Sequence, residues 1–238
     1  MELTIVIPTF REKENLEILI PSIENAFRCL ESIFQILIID DYSDDGTEGL
    51  VEAMCRRYGN VKIFVRKGKN DIASAWQDGF SMAEGRYIAC MDGDLSHDPE
   101  YLVKMYNEIK NRDYDIVIGS RYLEGFCRDF QGKSLLPRVT SACGQYLGRF
   151  LSGLKQRDIS HSFRIFKREV FHNVKDGLSF KGNSYLVEFL YLAVKNNFSV
   201  CEIPIIYRKR GYGRTKLKIF KEGIRYIYSL IMIRYRHR

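Results

Sequence analysis

No run of about 18 apolar residues occurs anywhere in the 238-residue chain, so no segment is expected to span a bilayer. No Cys-x-x-Cys pair occurs either. The six cysteines (Cys29, Cys55, Cys90, Cys127, Cys143 and Cys201) are scattered and stand apart from the four histidines. That pattern argues against a zinc site and a disulfide framework, and reduced thiols in a cytosolic protein are the expectation. Gly211 and Gly213 form neither a Walker loop nor a G-x-G-x-x-G turn, so kinases and dinucleotide-dependent dehydrogenases lack their phosphate-binding parts. The aromatic signature of RNA-recognition modules is missing, and no nucleic-acid partner is expected. There is no internal repeat and no low-complexity linker. The chain starts directly on the apolar run Leu3–Ile7, without a basic region or cleavage site, so no signal peptide is expected.

What is present describes a globular protein with an anionic partner. Hydrophobic residues make up 45% and charged residues 28%, a composition that builds a core rather than a disordered chain. The length suits one large or two small units. The net charge is +7 and the isoelectric point near 9.0, which points to a nucleotide, a lipid phosphate or a membrane surface.

Apolar runs at Leu3–Ile7, Phe34–Ile39, Val61–Val65, Tyr87–Met91 and Ile116–Gly119 read as strands, separated by segments of helical period. Those helices are expected at Glu12–Leu30, with Pro21 kinking or restarting the first, then at Thr47–Tyr58, Ile72–Ala83 and Leu102–Asn111. Strands without polar alternation, each followed by a helix, predict an α/β fold: a mostly parallel central sheet with helices on both faces. Beyond Arg121 a mobile loop is expected over Glu124–Leu136, then a helix Pro137–Leu151, a strand Ile159–Phe166, a helix Ser184–Lys195 and a strand Ser199–Tyr207. A catalytic domain is expected over residues 1–215. Residues 216–238 form a basic amphipathic helix, suited either to a membrane interface or to packing on the core with a solvated basic face.

In such sheets ligands sit outside the carboxyl ends of the strands. Pro8-Thr9-Phe10, Asp40-Asp41, Asp92-Gly93-Asp94 and Ser120-Arg121 all fall there. Asp92 and Asp94 are two apart at a strand end and repel each other, which invites a cation with a taste for oxygen, Mg²⁺ or Mn²⁺. The plainer reading is a polar loop capping the next helix, with Asp98 or Ser96 as N-cap and Pro99 at the first helical position. Asp40-Asp41 could bind a base and ribose, or simply open a turn. Arg121 suits a phosphate clamp or a surface ion pair. Arg210 and Lys216, six apart across two glycines, could close on a diphosphate as a cationic flap. His97, a lone histidine beside a helix start, reads as structural.

In order, Val6–Leu16, Ile39-Asp40-Asp41, Met91–Pro99, Gly119–Tyr122, Ser162-Phe163-Arg164 and Arg210–Leu217 resemble the family-2 inverting glycosyltransferases of GT-A fold, most closely the dolichyl- or polyprenyl-phosphate mannosyl- and glucosyltransferases. The resemblance runs from about residue 3 to 225. It implies that Pro8, Phe10, Glu12, Ile39 and Asp41 hold the nucleotide, that Asp92, Gly93 and Asp94 bind the metal and diphosphate, and that Arg121, Arg210 and Lys216 surround the donor phosphates. Arg138 and Ser141 would meet an acceptor phosphate. The sequence departs from that pattern at Tyr42, where glycine is usual, at Asp71–Ala75, which replaces a glycine-containing segment, and at Ser160-His161, which stands for Thr-Gly.

The activity so implied is metal-dependent inverting transfer of a hexose, with mannose from GDP-mannose first, to a polyprenyl or dolichyl phosphate. Asp92, Asp94 and Arg121 would carry the chemistry. The phosphate oxygen is already anionic and needs no base. A sugar hydroxyl would need one, and His97, Asp98 and Glu188 are the weak candidates. Two other readings stand beside this: a transferase acting on a saccharide or glycolipid hydroxyl in surface polysaccharide synthesis, and a non-catalytic nucleotide-sugar-binding subunit. The protein is expected at the cytoplasmic face of a membrane, held by its last helix to lipid or to a small membrane partner.

Overall fold

The computed structural model of the chain describes residues 1–28, 30, 33–68, 71–123, 135–179, 181–182, 184–213 and 219–237, and of 135–143 and 219–225 the backbone alone. The first half alternates as the apolar pattern requires: β1 (Leu3–Thr9), α1 (Lys13–Phe27), β2 (Phe34–Asp40), α2 (Thr47–Tyr58), β3 (Val61–Val65), α3 (Ile72–Met82), β4 (Tyr87–Cys90), α4 (Pro99–Arg112) and β5 (Ile116–Ser120). Pro21 sits inside an uninterrupted α1. Gly46 and Gly59 bracket α2 in left-handed conformations that other residues adopt only with strain. Asp98 caps α4 by accepting from Glu100 N at 3.1 Å, with Pro99 next, as the sequence suggests.

The second half continues with α5 (Leu135–Ser152), β6 (Arg164–Lys167), α6 (Arg168–Val174), α7 (Ser184–Lys195), β7 (Val200–Pro204) and α8 (Ile219–Arg236). The described strands form one sheet in the order β3-β2-β1-β4-β6-β5-β7. It is parallel except for β6, which runs antiparallel to both β4 and β5. Two sequence expectations change here. The strand foreseen over Ile159–Phe166 pairs only from Arg164 onward, because Asp158, Ser160 and His161 bond side chains and carbonyls at the sheet's end instead. The short helix α6 was not foreseen, being too short to establish a helical period.

Each face of the sheet has its own apolar layer. On one, Leu16, Leu19, Ile23, Leu102 and Met105 of α1 and α4 cover Ile5, Ile7 and Ala89. On the other, Trp76 and Phe80 of α3 pack with Phe166, Phe171 and Phe189, the Phe80 and Phe166 rings meeting edge to face at 5.1 Å. The last helix joins this second layer through Leu230 and Ile233, while Ile227, Tyr228, Ile231 and Tyr235 remain exposed. No helix among the described residues is long and apolar enough to cross a membrane. Cys55, Cys90 and Cys201 are free thiols.

Candidate active site

The carboxyl ends of β1 and β2 form one wall. Asp40 is fully buried and committed to its own turn, accepting from Thr9 Oγ1 at 3.0 Å and from Ser43 N and Oγ at 2.8 and 2.7 Å. Its neighbour Asp41 is partly exposed and paired with Arg66, a nearly buried guanidinium that also donates to Ser74 Oγ at 2.8 Å and Asp78 Oδ2 at 3.2 Å. Burial raises the Asp41 pKa, with Arg66 opposing. The departure at Asp71–Ala75 acquires a role here, since Asp71 caps α3 and Ser74 belongs to the Arg66 network. Tyr42, standing where glycine is usual, keeps the left-handed backbone at φ 55°. Arg11 at 57° and Leu95 at 65° do the same. Three such non-glycine residues in the loops around one crevice mark local strain held by the surrounding fold.

The floor is the Asp92–Asp94 loop. Asp92 is one-third exposed, and its pKa is raised by desolvation and by Asp94, against the pull of nearby His97 and Arg210. Asp94 is almost buried. Its Oδ1 accepts from Ser96 N at 3.1 Å and from the Ser96 hydroxyl, while its Oδ2 lies 3.1 Å from Arg210 Nη2. The other Arg210 nitrogen donates to Glu12 Oε1 at 2.6 Å, so one guanidinium spans both carboxylates. Residues 208–212 are docked over the loop: Arg208 N donates to Ser96 O, Gly211 N to Asp94 O at 2.9 Å, and Tyr212 N to Asn15 Oδ1 at 3.0 Å. A Cβ on Gly211 would lie 2.7 Å from Leu95 Cδ1 and 2.8 Å from Asn15 Oδ1, so only glycine lets this strap sit down. Gly93 is tight for a different reason: a Cβ there would press on Thr9 and Ile7 of β1.

The third wall follows β5. Arg121 forms a bidentate pair with the buried Asp158, Nε to Oδ2 at 2.7 Å and Nη2 to Oδ1 at 2.8 Å, and its guanidinium carbon lies 5.4 Å from the Tyr207 ring centroid. The surface ion pair considered for Arg121 is thus a buried one. Under it, His97 and His161 face each other with Nε2 atoms 3.2 Å apart, and Phe163 stacks on His97. Burial above all holds both histidines below their ordinary pKa. The buried Arg164 donates to the carbonyls of Ile159, His161 and Leu186 and so fixes the loop that carries Asp158 and His161. Replacing Arg164 by leucine strands these carbonyls without donors. It should lower unfolding stability by about 3 kcal/mol or more, read as the shift of the urea midpoint; an unchanged midpoint contradicts the bracing role.

The expected residues therefore divide. Glu12, Arg210 and Asp94 are in direct contact, Asp92 shares the Asp94 loop, and Asp41 and Arg121 lie at the carboxyl ends of β2 and β5, with half-buried Phe10 on the β1 side. Pro8 and Ile39 are buried partners in the paired strands β1 and β2, and the Ile39 side chain belongs to the core, so neither offers a side chain to a ligand. The side chains of Arg138 and Ser141, and all of Lys216, lie outside the described residues. Of the weak base candidates, His97 is buried, Asp98 is engaged with Glu100 N and Arg208, and Glu188 is buried on α7 against Ser179 and His237. Arg66, Asp158 and His161 were not foreseen as site residues. Their partners lie far away in sequence, and the only hint was the unusual His161.

An ion at this floor fits the donor chemistry. The available ligands are carboxylate and hydroxyl oxygens, the preference of Mg²⁺ and Mn²⁺. The Arg210 guanidinium already demonstrates that positive charge is stabilised between Glu12 and Asp94. No group of three or more His, Cys, Asp or Glu among the described residues is placed to hold an ion, so water and substrate oxygens would complete its shell.

Comparison with known proteins agrees with this architecture. The profile of "Glycosyl transferase family 2" matches residues 4–175. The dolichol-phosphate mannosyltransferase of Pyrococcus furiosus is 34% identical over 97% of the chain, which spans 64% of that relative's length. The polyprenol monophosphomannose synthase of Mycolicibacterium smegmatis is 31% identical over 90% of the chain and 80% of its own. Glucosyl-3-phosphoglycerate synthase of Mycobacterium tuberculosis, solved with Mn²⁺, UDP-glucose and phosphoglyceric acid, superposes with a TM-score of 0.71 at 14% identity, covering 98% of this chain and 80% of that one. This last likeness establishes the GT-A fold.

Proposed function

The chain belongs to glycosyl transferase family 2, and on that premise we propose that it transfers a hexose, mannose foremost, from a nucleoside-diphosphate sugar to a polyprenyl or dolichyl phosphate. The observation that carries the reading is the crevice where Asp92, Asp94, Glu12 and Arg210 converge beside the Asp41–Arg66 pair. Asp41, oriented by Arg66, accepts hydrogen bonds from the base or ribose, and Glu12 closes the nucleotide end. A divalent ion held by Asp94 and Asp92, Mg²⁺ or Mn²⁺, would supply positive charge against the leaving diphosphate. Arg210 turns from Asp94 to the diphosphate oxygens. Arg121 stays locked to Asp158 and lends its charge from the side. The lipid phosphate oxygen attacks the anomeric carbon from the face opposite the diphosphate. The new C–O bond forms as the old one breaks, and its electron pair leaves on the diphosphate. That nucleophile is already ionised near neutral pH, which suits a site whose candidate bases are buried or engaged.

Such an acceptor requires contact with a membrane. On α8 the exposed Ile227, Tyr228, Ile231 and Tyr235 run beside Arg234 and Arg236, and on the neighbouring α5 Tyr146 and Phe150 are also exposed. We place this face, aromatic and basic together, against the head-group region of anionic lipid, peripheral to the membrane. Deleting α8 would take Leu230 and Ile233 out of the core and uncover the layer they pack against, so surface substitutions test it more cleanly. Phe150→Ser with Tyr228→Ser and Ile231→Ser should weaken sedimentation with anionic vesicles about tenfold or more; undiminished sedimentation counts against the placement. Radiolabelled sugar transfer into the lipid phase tests the activity itself. Product only with a saccharide acceptor would favour the polysaccharide reading, and nucleotide binding without product under either condition would favour a non-catalytic subunit.

A further inference from the structure

His161 is used by none of the chemistry above, yet it is buried beneath the crevice and its hydrogen bonds admit a single assignment. Asp92 N–H donates to His97 Nδ1 at 3.1 Å, so that nitrogen carries a lone pair. A neutral imidazole has one N–H, which for His97 must then be on Nε2. At the other end, His161 Nδ1 lies 2.7 Å from the Gly119 carbonyl, which can only accept, so His161 carries its proton on Nδ1 and a lone pair on Nε2. The two Nε2 atoms, 3.2 Å apart, therefore match: His97 donates and His161 accepts. The bonds run in one direction from Asp92 through both rings to Gly119. The geometry is wrong for a metal between the rings. An ion on both Nε2 atoms would force a proton onto His97 Nδ1, where it would face the Asp92 N–H.

The surroundings hold the rings in place. Phe163 stacks on His97 at 4.5 Å and 15°, Tyr207 flanks both imidazoles at 5.7 and 5.5 Å, and Arg164 fixes the His161 backbone. The chain of bonds ties the loop after β4, which carries Asp92 and Asp94, to the end of β5, two residues before Arg121. We infer that His161 is a positioning residue: by accepting from His97 Nε2–H it fixes the His97 tautomer that holds the Asp92 backbone, and so sets the Asp92–Asp94 loop against Gly119–Arg121. Its effect on turnover rests on the sugar transfer proposed above; its effect on the loop does not.

The test uses the full-length protein with ¹⁵N-labelled histidine and backbone, together with His161→Gly, His161→Asn and His161→Gln. Glutamine puts an amide oxygen near the place of Nε2 and can accept from His97, whereas asparagine reaches only the Nδ1 position. In the parent protein, ring ¹⁵N shifts should show His97 protonated on Nε2 and His161 on Nδ1. The Asp92 amide resonance should move in the glycine and asparagine variants and return toward its parent position in the glutamine variant. With a nucleotide sugar and polyprenyl phosphate, kcat should fall about ten- to a hundredfold in the glycine and asparagine variants, with KM for the donor little changed, and recover in the glutamine variant. His97 protonated on Nδ1 in the parent protein overturns the inference. So does an Asp92 amide indifferent to all three changes. Should the parent protein transfer no sugar to lipid phosphate, the proposed function fails while the ring and amide resonances still decide the role of His161.

Discussion

An Asp94→Asn protein is expected to lose about a thousandfold or more of sugar transfer while its melting temperature stays close to that of the parent. Asparagine keeps the shape and one acceptor oxygen, so the Ser96 N–H and hydroxyl retain their partner. What disappears is the negative charge. Arg210 keeps its stronger contact, the 2.6 Å bond to Glu12, so the strap over the loop remains docked. The loss should therefore fall on kcat and on Mn²⁺ affinity rather than on stability. Paramagnetic broadening or calorimetry on the protein without donor gives the affinity, and a turnover assay the rate. Near-parent turnover in a folded Asp94→Asn protein would remove Asp94 from the chemistry.

Arg210→Gln should have the second largest effect, with an instructive split. In the structure the guanidinium is paired with Asp94 Oδ2 and so offsets part of the negative charge that would hold an ion. Arg210 would compete with a divalent cation for that carboxylate, and glutamine, which carries no charge, would compete less. Mn²⁺ binding without nucleotide should be unchanged or tighter. Turnover should fall about a hundredfold, because a charge aimed at the leaving diphosphate is lost where charge stabilisation counts most. Arg210→Lys should recover part of the rate but not all, since an ammonium cannot span Glu12 and Asp94 as the planar fork does. Weaker Mn²⁺ binding in Arg210→Gln would contradict the competition.

The first half of the fold was legible because each element is bounded locally. Helix α2 lies between two left-handed glycines, β3 is a short apolar run, and α4 carries its own cap and proline, so spacing alone located them. The failures came where long-range bonds overrode the local pattern. Residues 159–163 look like strand, but Ile159, Ser160 and His161 bond Gln145 and the Gly119 carbonyl, and Asp158 before them holds Arg121, so regular pairing starts only at Arg164. The direction of β6 is equally invisible, because antiparallel insertion depends on its neighbours. In the site, the acidic residues announced themselves by position at strand ends. Long-range partners did not: Arg66 lies 25 residues from Asp41, and Asp158 lies 37 residues from Arg121. How the last helix packs was not legible either: α8 buries Leu230 and Ile233 in the core and exposes Tyr228 and Ile231.

The most direct test of the account offers the purified protein radiolabelled GDP-mannose and UDP-glucose with Mn²⁺ or Mg²⁺, and polyprenyl phosphate in detergent or vesicles. Label should appear in the organic phase, require the ion, and vanish with Asp94→Asn. Ion-independent transfer, or label entering a saccharide acceptor but never the lipid phosphate, would contradict it.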